Sequence, residues 1–328
     1  MSEPLLEVKN LRTSFFTNIG EIKAVNGVSF NVNHGEVVAI VGESGCGKSV
    51  SQLSIMQLVQ TPPGRILGGE VIFNNRNLLE LNSKEMRKIR GHEISMIFQE
   101  PMTSLNPVFK IGTQITEVIQ THSKTSKKVS WKIGEQALAD VSIPDPEIRM
   151  HNYPFEMSGG MRQRVLIAIS VACKSELIIA DEPTTALDVT TQAQIMELLQ
   201  NIVRKQEKSM VIVTHNLGLV TRYADRIYVM YAGRIVESGT TEDILTDPKH
   251  PYTLGLLKSI PKLAGRKDDK LIPIEGLPPS LVNLPEKCAF LPRCPFRNSF
   301  CEKNGVPALE EKSVNNHYAA CFVHVGKK

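Results

Sequence analysis

The arrangement of apolar and polar positions predicts an α/β protein. The run Val37 to Val41 is apolar without alternation, as expected of a strand buried on both faces. The runs Glu176 to Asp181 and Ser209 to Thr214 read the same way. Residues 5–9, 28–32 and 71–73 read as further strands, and 227–231 with 234–237 as a hairpin around Ala232-Gly233. Helical periodicity begins at Lys48 and recurs over 83–90, with Ser83 as a cap, and over 111–123, 131–141, 161–173 and 189–207. The stretch from about 90 to 175 is mostly helical between flanking strands. It reads as a helical subdomain inserted into a mixed α/β core, the whole domain covering 1–260.

The pattern changes after residue 260. Of 19 prolines, seven fall between Pro273 and Pro307, too many for a segment that is mainly helix or central strand. Residues 261–328 therefore read as a loop-rich extension that something other than a large core must hold.

Composition narrows the class. An apolar fraction of 41% and a charged fraction of 22% over 328 residues describe a globular chain. The net charge of +4 is spread along the sequence, which gives no reason to invoke nucleic acid. Apolar runs such as Met210 to Val213 fall far short of the roughly 20 residues a bilayer span needs. The start, Met1-Ser-Glu-Pro-Leu-Leu6, lacks the basic and apolar regions of a signal peptide. The expectation is a cytoplasmic chain that a partner holds at any membrane it serves.

Residues 42–49, Gly-Glu-Ser-Gly-Cys-Gly-Lys-Ser, match G-x-x-x-x-G-K-[ST] between a buried strand and a helix. Gly42, Glu43, Ser44, Gly45, Cys46 and Gly47 would curl their N–H groups around phosphate oxygens at a helix N-terminus. Lys48 would meet the β- and γ-phosphates of a bound nucleotide, and Ser49 would offer its hydroxyl to Mg²⁺. Further on, the strand Leu177 to Ala180 ends in two carboxylates. Asp181 is suited to hold Mg²⁺, and Glu182, pointing elsewhere, to orient or deprotonate an attacking water.

Residues 157–164, Met-Ser-Gly-Gly-Met-Arg-Gln-Arg, resemble the signature motif of the ABC ATPases, with Met157 and Met161 departing from its commonest wording. The resemblance covers about residues 5–260. It implies an ABC-type P-loop ATPase core, a RecA-like mixed sheet plus an antiparallel β subdomain, with a helical subdomain inserted. It also implies that Ser158, Gly159 and Gly160 form a second anion seat that closes on ATP bound to an opposite subunit. Gln99 then matches the residue that meets Mg²⁺ or the attacking water. Asp188, in Ala186-Leu187-Asp188, matches the loop crossing the dimer interface, and His215 the histidine that senses the γ-phosphate. Phe15 is the aromatic proposed to stack on adenine, with Phe16 as the alternative.

Phe98 to Pro107, Ser158 to Arg164, Asp181 to Asp188 and His250-Pro-Tyr-Thr253 resemble, more narrowly, the ATPases of oligopeptide and dipeptide importers. This implies a peripheral subunit on the cytoplasmic face of a bacterial cell membrane. Its partners would be a homologous ATPase or a second copy, two membrane permeases and, indirectly, an extracytoplasmic solute-binding protein. Relatives also move nickel complexes and other small solutes. The rival is a soluble ABC ATPase acting on DNA or ribosomes, but such proteins usually carry a long coiled coil or two cassettes, and neither occurs here.

Of six cysteines, Cys288, Cys294, Cys301 and Cys321 crowd into the tail, with 5, 6 and 19 residues between them. In a reducing compartment such a crowd suggests a metal more than disulfides, either zinc or an iron–sulfur cluster. The importer resemblance implies a [4Fe–4S] cluster in a structural role. Cys46 and Cys173 read as non-ligands of any such metal.

Overall fold

The computed structural model describes residues 3–185, 187–260, 273–313, 316–323 and 325. Ala186 of the Ala-Leu-Asp motif, and residues 261–272 of the extension, lie outside them.

In chain order the strands are β1 (Leu6–Thr17), β2 (Gly20–Val32), β3 (Val37–Val41), β4 (Gly64–Phe73), β5 (Arg76–Asn77), β6 (Ile94–Ile97), β7 (Leu177–Asp181), β8 (Ser209–Thr214), β9 (Arg226–Tyr231), β10 (Arg234–Thr240), β11 (Glu310–Ser313) and β12 (His317–Ala319). The helices that matter below are α1 (Lys48–Ile55), α2 (Ser83–Ile89), α3 (Pro101–Ser104), α4 (Ile111–His122), α5 (Lys127–Asp140), α6 (Pro146–Arg149), α7 (Gly159–Val171), α8 (Val189–Lys205), α9 (Leu217–Val220), α10 (Thr241–Thr246), α11 (Pro251–Lys258) and α12 (Ser299–Lys303). They fall into two compact units, Met1–Asn33 with Val37–Leu79 and Thr214–Lys328, and His34–Glu36 with Glu80–Val213.

In the first unit, β2, β1, β4 and β5 form an antiparallel sheet. β1 runs well past the residue-9 limit expected from its pattern. Asn10 takes a left-handed φ of 47° in an irregularity between Val8 and Leu11, so both apolar residues stay buried although they are three apart. β3 lies parallel to β9, which pairs antiparallel with β10. All five residues of β3 are buried, as the unalternating pattern requires.

The extension adds strands beyond its proline-rich stretch: β12 pairs with β10, and β11 with β12. A buried carboxylate pins it there. Glu237 of β10 accepts from the backbone N–H groups of Lys249 and His250 and lies 2.7 Å from His317 Nε2 of β12. Burial pushes His250 down to about 4, against the pull of Glu237.

In the second unit, β6, β7 and β8 are parallel. α4 buries Ile111, Ile115 and Ile119, one face at a four-residue spacing. Gly112 lets α4 meet Trp131 of α5, since a Cβ there would stand 2.5 Å from the indole. α5 begins earlier than its apolar pattern suggests because Ser126 caps it, accepting from the Val129 N–H. α7 likewise begins at Gly159, two residues early, because Ser158 is its cap.

Candidate functional site

In the first unit the residues after β3 wrap into a tight loop before α1. Gly42 and Gly47 are sterically obligatory. A Cβ would lie 2.2 Å from the Met230 carbonyl oxygen at Gly42 and 2.0 Å from that of Ala24 at Gly47, whose φ is 103°. Lys48 is 4% exposed, and its Nζ donates to the carbonyls of Gly42 and Glu43 at 2.8 and 3.0 Å. Cys46 Sγ is 3.9 Å from the same nitrogen, and its thiol is pushed up by burial. Ser44 and Gly45 are exposed at the loop's crown, and Ser49 is half-buried in the first turn of α1. The loop thus combines a cation, a helix N-terminus and close-folded backbone, the components of a phosphate site.

The same unit carries His215, exposed just beyond β8, followed by Asn216, which caps α9 by accepting from the Leu219 N–H. Of the two candidate aromatics in β1, Phe15 is half-buried against Gly64. Phe16 is 47% exposed, with the Arg65 guanidinium 5.6 Å above its ring.

In the second unit the acidic strand β7 ends as expected. Asp181 and Glu182 are 5% and 7% exposed. Glu182 has a left-handed φ of 46°, and its N–H donates to the Val213 carbonyl of β8 at 2.8 Å. A non-glycine residue in that region is held by its surroundings and turns its side chain away from the line of Asp181. Its carboxylate accepts from the Gln99 amide at 3.1 Å and from the Thr185 hydroxyl at 2.8 Å. Gln99 and Glu182 are therefore brought together. Thr185 belongs to no motif of fixed spacing, and its place three residues after Glu182 is the one local signal of its role.

Ser158 accepts from the Met161 N–H across the first turn of α7 and is exposed, while Gly159 and Gly160 are half-buried. A Cβ at Gly160 would stand 3.2 Å from Thr191 of α8. Asp188 caps α8, its two oxygens accepting from the Thr191 N–H and hydroxyl at 3.0 and 2.7 Å, and these bonds hold its carboxyl below the usual range. The signature turn and the Asp188 turn are thus neighbours, each at a helix N-terminus, with Ser158 and Asp188 exposed.

In the extension, Cys288, Cys294, Cys301 and Cys321 line one cavity of about 20 Å³, walled by Pro251, Phe290, Leu291 and Phe322. Burial raises the thiols of Cys288 and Cys294, and pushes Cys321 up to about 11 despite the Val323 N–H donated to its sulfur. Neighbouring sulfurs reinforce each shift. Among the described residues no three His, Cys, Asp or Glu side chains are arranged to hold a metal ion as they stand. The donor set, four soft sulfurs around one apolar cavity, nevertheless suits a thiophilic metal, whose charge would stabilise the thiolates.

The model for ABC transporters matches residues 25–185, and the model for the oligopeptide/dipeptide transporter C-terminal region matches 236–301. The chain is 52% identical over 319 residues to the oligopeptide transport ATP-binding protein OppD of Bacillus subtilis (strain 168), covering 97% of this chain and 88% of that one. This chain belongs to the ABC transporter family of ATP-binding proteins. The dipeptide transport ATP-binding protein DppD of the same organism is 50% identical over 92% of this chain and 90% of its own. Among solved structures, the dimeric bacterial ABC transporter cassette MJ0796 superposes with a TM-score of 0.65 at 28% identity, over 72% of this chain and 98% of that one. The cassette cbiO1 from Clostridium perfringens gives 0.62 at 24% identity, over 74% of this chain and 91% of that one, a likeness of fold. The fold is that of the ABC ATPase cassettes, and the chain is an ATPase of that family. Among the described residues no helix is long and apolar enough to cross a membrane.

Proposed function

We propose that this ABC ATPase drives uptake of di- and oligopeptides across a bacterial cytoplasmic membrane, bound peripherally to two permease subunits on the cytoplasmic face. The observation that carries the reading is the Glu182 carboxylate, fixed by Gln99 and Thr185 at the end of a buried strand. It stands in a chain about half identical to peptide-transport ATP-binding proteins along nearly its whole length.

In this reading the loop 42–49 holds the triphosphate, with Lys48 exchanging its loop carbonyls for phosphate oxygens. An aromatic of β1, Phe15 or Phe16, stacks on the adenine. Ser49, Asp181 and Gln99 are the oxygen donors for Mg²⁺, which would neutralise charge on the phosphates. Glu182 orients and deprotonates the attacking water, and His215 steadies the γ-phosphate. Ser158, Gly159 and Gly160 belong to the nucleotide of a second subunit, and Asp188 to the facing interface. The exposure of Ser158 and Asp188 supports that assignment. The second subunit is a homologous ATPase or another copy of this chain, and a solute-binding protein delivers the peptide outside the membrane.

By the same reading residues 1–260 form the ATPase domain, with a helical subdomain at 90–175, and 261–328 the extension. The four tail cysteines would hold a [4Fe–4S] cluster, with zinc as the alternative. Such a centre supplies a cross-link where a large core is lacking.

The test is co-purification from the native membrane followed by reconstitution. Two permeases should accompany the chain, and peptide-loaded binding protein should stimulate ATP hydrolysis. Stimulation by nickel complexes but not peptides would overturn the substrate, and co-purification with ribosomes or DNA would overturn transport.

A further inference from the structure

The extension reaches the phosphate loop through the side chain of Arg293. Arg293, one residue before Cys294, is 5% exposed at its side chain and meets the 26% exposed carboxylate of Glu43, the second residue of the loop. The pairing is two-pronged: Nη1 donates to Oε2 at 2.7 Å and Nη2 to Oε1 at 3.0 Å. The other three donors of the guanidinium are also used. Nε donates to the Glu275 carbonyl, Nη2 to that of Ile274, and Nη1 to the Tyr231 hydroxyl. All five N–H groups thus have acceptors, a geometry that lysine cannot reproduce.

The contact extends on both sides. The Glu43 N–H, expected to face the phosphates, instead donates at 2.8 Å to the hydroxyl of the wholly buried Tyr252, so Glu43 bears on the loop's ligand through its charge and not its amide. Phe290, three residues before Arg293, packs its ring 5.3 Å from Tyr231 and 5.4 Å from Tyr252. Phe290 also walls the cysteine-lined cavity. The turn from Cys288 to Cys294 is closed by backbone bonds from Leu291 to Cys288 and from Cys294 to Leu291. One short turn therefore carries two of the four cysteines and the residue that holds the loop.

We propose that Arg293 is a positioning residue for ATP binding: by holding and neutralising Glu43, the cysteine-bearing turn of the extension sets the affinity of the phosphate loop for the triphosphate. The proposal rests on reading residues 42–49 as that phosphate site. Glu43 is an anion built into an anion-binding loop. Left alone, its carboxylate would repel the incoming phosphates at a range that a half-buried setting screens poorly. Paired, it is neutralised and pulled toward the extension, while its N–H is fixed by Tyr252. A merely structural pair would show in stability alone, since removing Arg293 leaves a half-buried carboxylate unpaired, and would leave ATP affinity unchanged. This one bears on the charge of the loop.

The test is equilibrium ATP binding to the full chain, with single-turnover and steady-state rates beside it. Arg293→Ala should weaken ATP binding by about three- to tenfold, with kcat at saturating ATP changed by less than about twofold. Arg293→Lys should fall between it and wild type. Glu43→Gln deletes the anion rather than the cation, so it should bind ATP at least as tightly as wild type. The double variant Arg293→Ala/Glu43→Gln should recover most of the loss. The proposal is overturned by wild-type affinity in Arg293→Ala while Lys48→Ala is impaired, by weakened binding in Glu43→Gln, or by a double variant no better than Arg293→Ala. Wild-type binding in Lys48→Ala would instead remove the reading of the loop itself. Should Arg293→Ala not fold, Arg293→Lys and Glu43→Gln decide the question alone.

Discussion

Gln99 donates its side-chain amide to the Glu182 carboxylate, Nε2 to Oε2 at 3.1 Å. Gln99 itself is exposed, on the segment between β6 and α3, whereas Glu182 is buried. The orientation of the proposed general base therefore depends on a surface segment leading into the helices of its unit. That is a direct route by which movement of those helices could gate hydrolysis. Gln99→Ala should lower kcat by about tenfold and change the ATP KM by less than about twofold, since Thr185 still holds the carboxylate. Steady-state kinetics check this; an unchanged kcat would remove Gln99 from the mechanism.

Ser158 is exposed, and losing its cap on α7 costs only about 1 kcal/mol, so an arginine there should leave the fold intact while blocking the seat for a second subunit's nucleotide. Ser158→Arg should bind ATP with near-wild-type affinity yet fail to dimerise with ATP and fail to hydrolyse it. Sedimentation in the presence of ATP, beside a nucleotide-binding titration, separates these two properties.

The cysteine cavity makes its own prediction. Chain purified without oxygen should carry metal in proportion to protein, with acid-labile sulfide and broad visible absorption if the centre is iron–sulfur. Cys294→Ser and Cys321→Ser should each abolish that signal. Metal-free protein isolated under those conditions would contradict the assignment.

Lys208, in the turn between α8 and β8, is 5% exposed, and its Nζ has no hydrogen-bonding partner among the described residues. Burial pushes it down to about 8, partly opposed by Cys173. Below that pH both folded and unfolded chains carry the proton, and the fold bears the cost of burying it. Between about pH 8 and 10.5 only the unfolded chain keeps the proton, so stability from this site rises with pH. Lys208→Met should therefore raise the thermal midpoint at pH 7 by about 2–4 °C, with the gain shrinking as pH rises through that window.

Much of the fold was legible because its signals are local. β3, β7 and β8 announce themselves as unbroken apolar runs, and α7 and α8 by their helical period, while the caps Ser158 and Asp188 that set their starts emerge from the structure. Local signals failed where tertiary context overrides them. The strand expected to end at Lys9 instead passes through an irregularity at Asn10 and runs on to Thr17. β11 and β12 are too short to stand out and exist because β10 offers an edge. The chemistry divides the same way. Lys48, Asp181 and Glu182 lie in motifs of fixed spacing, whereas Arg293 and Glu43 are 250 residues apart and no spacing rule joins them.

The central claim is that Glu182 acts on water at the γ-phosphate of an ATP held by the loop at Lys48. The most direct measurement is ATP binding and ATP turnover in Glu182→Gln, which keeps size and hydrogen bonding but removes the base. Binding at wild-type affinity with turnover reduced by about 10²–10⁴-fold is the expected result. Hydrolysis at the wild-type rate in that variant would contradict it.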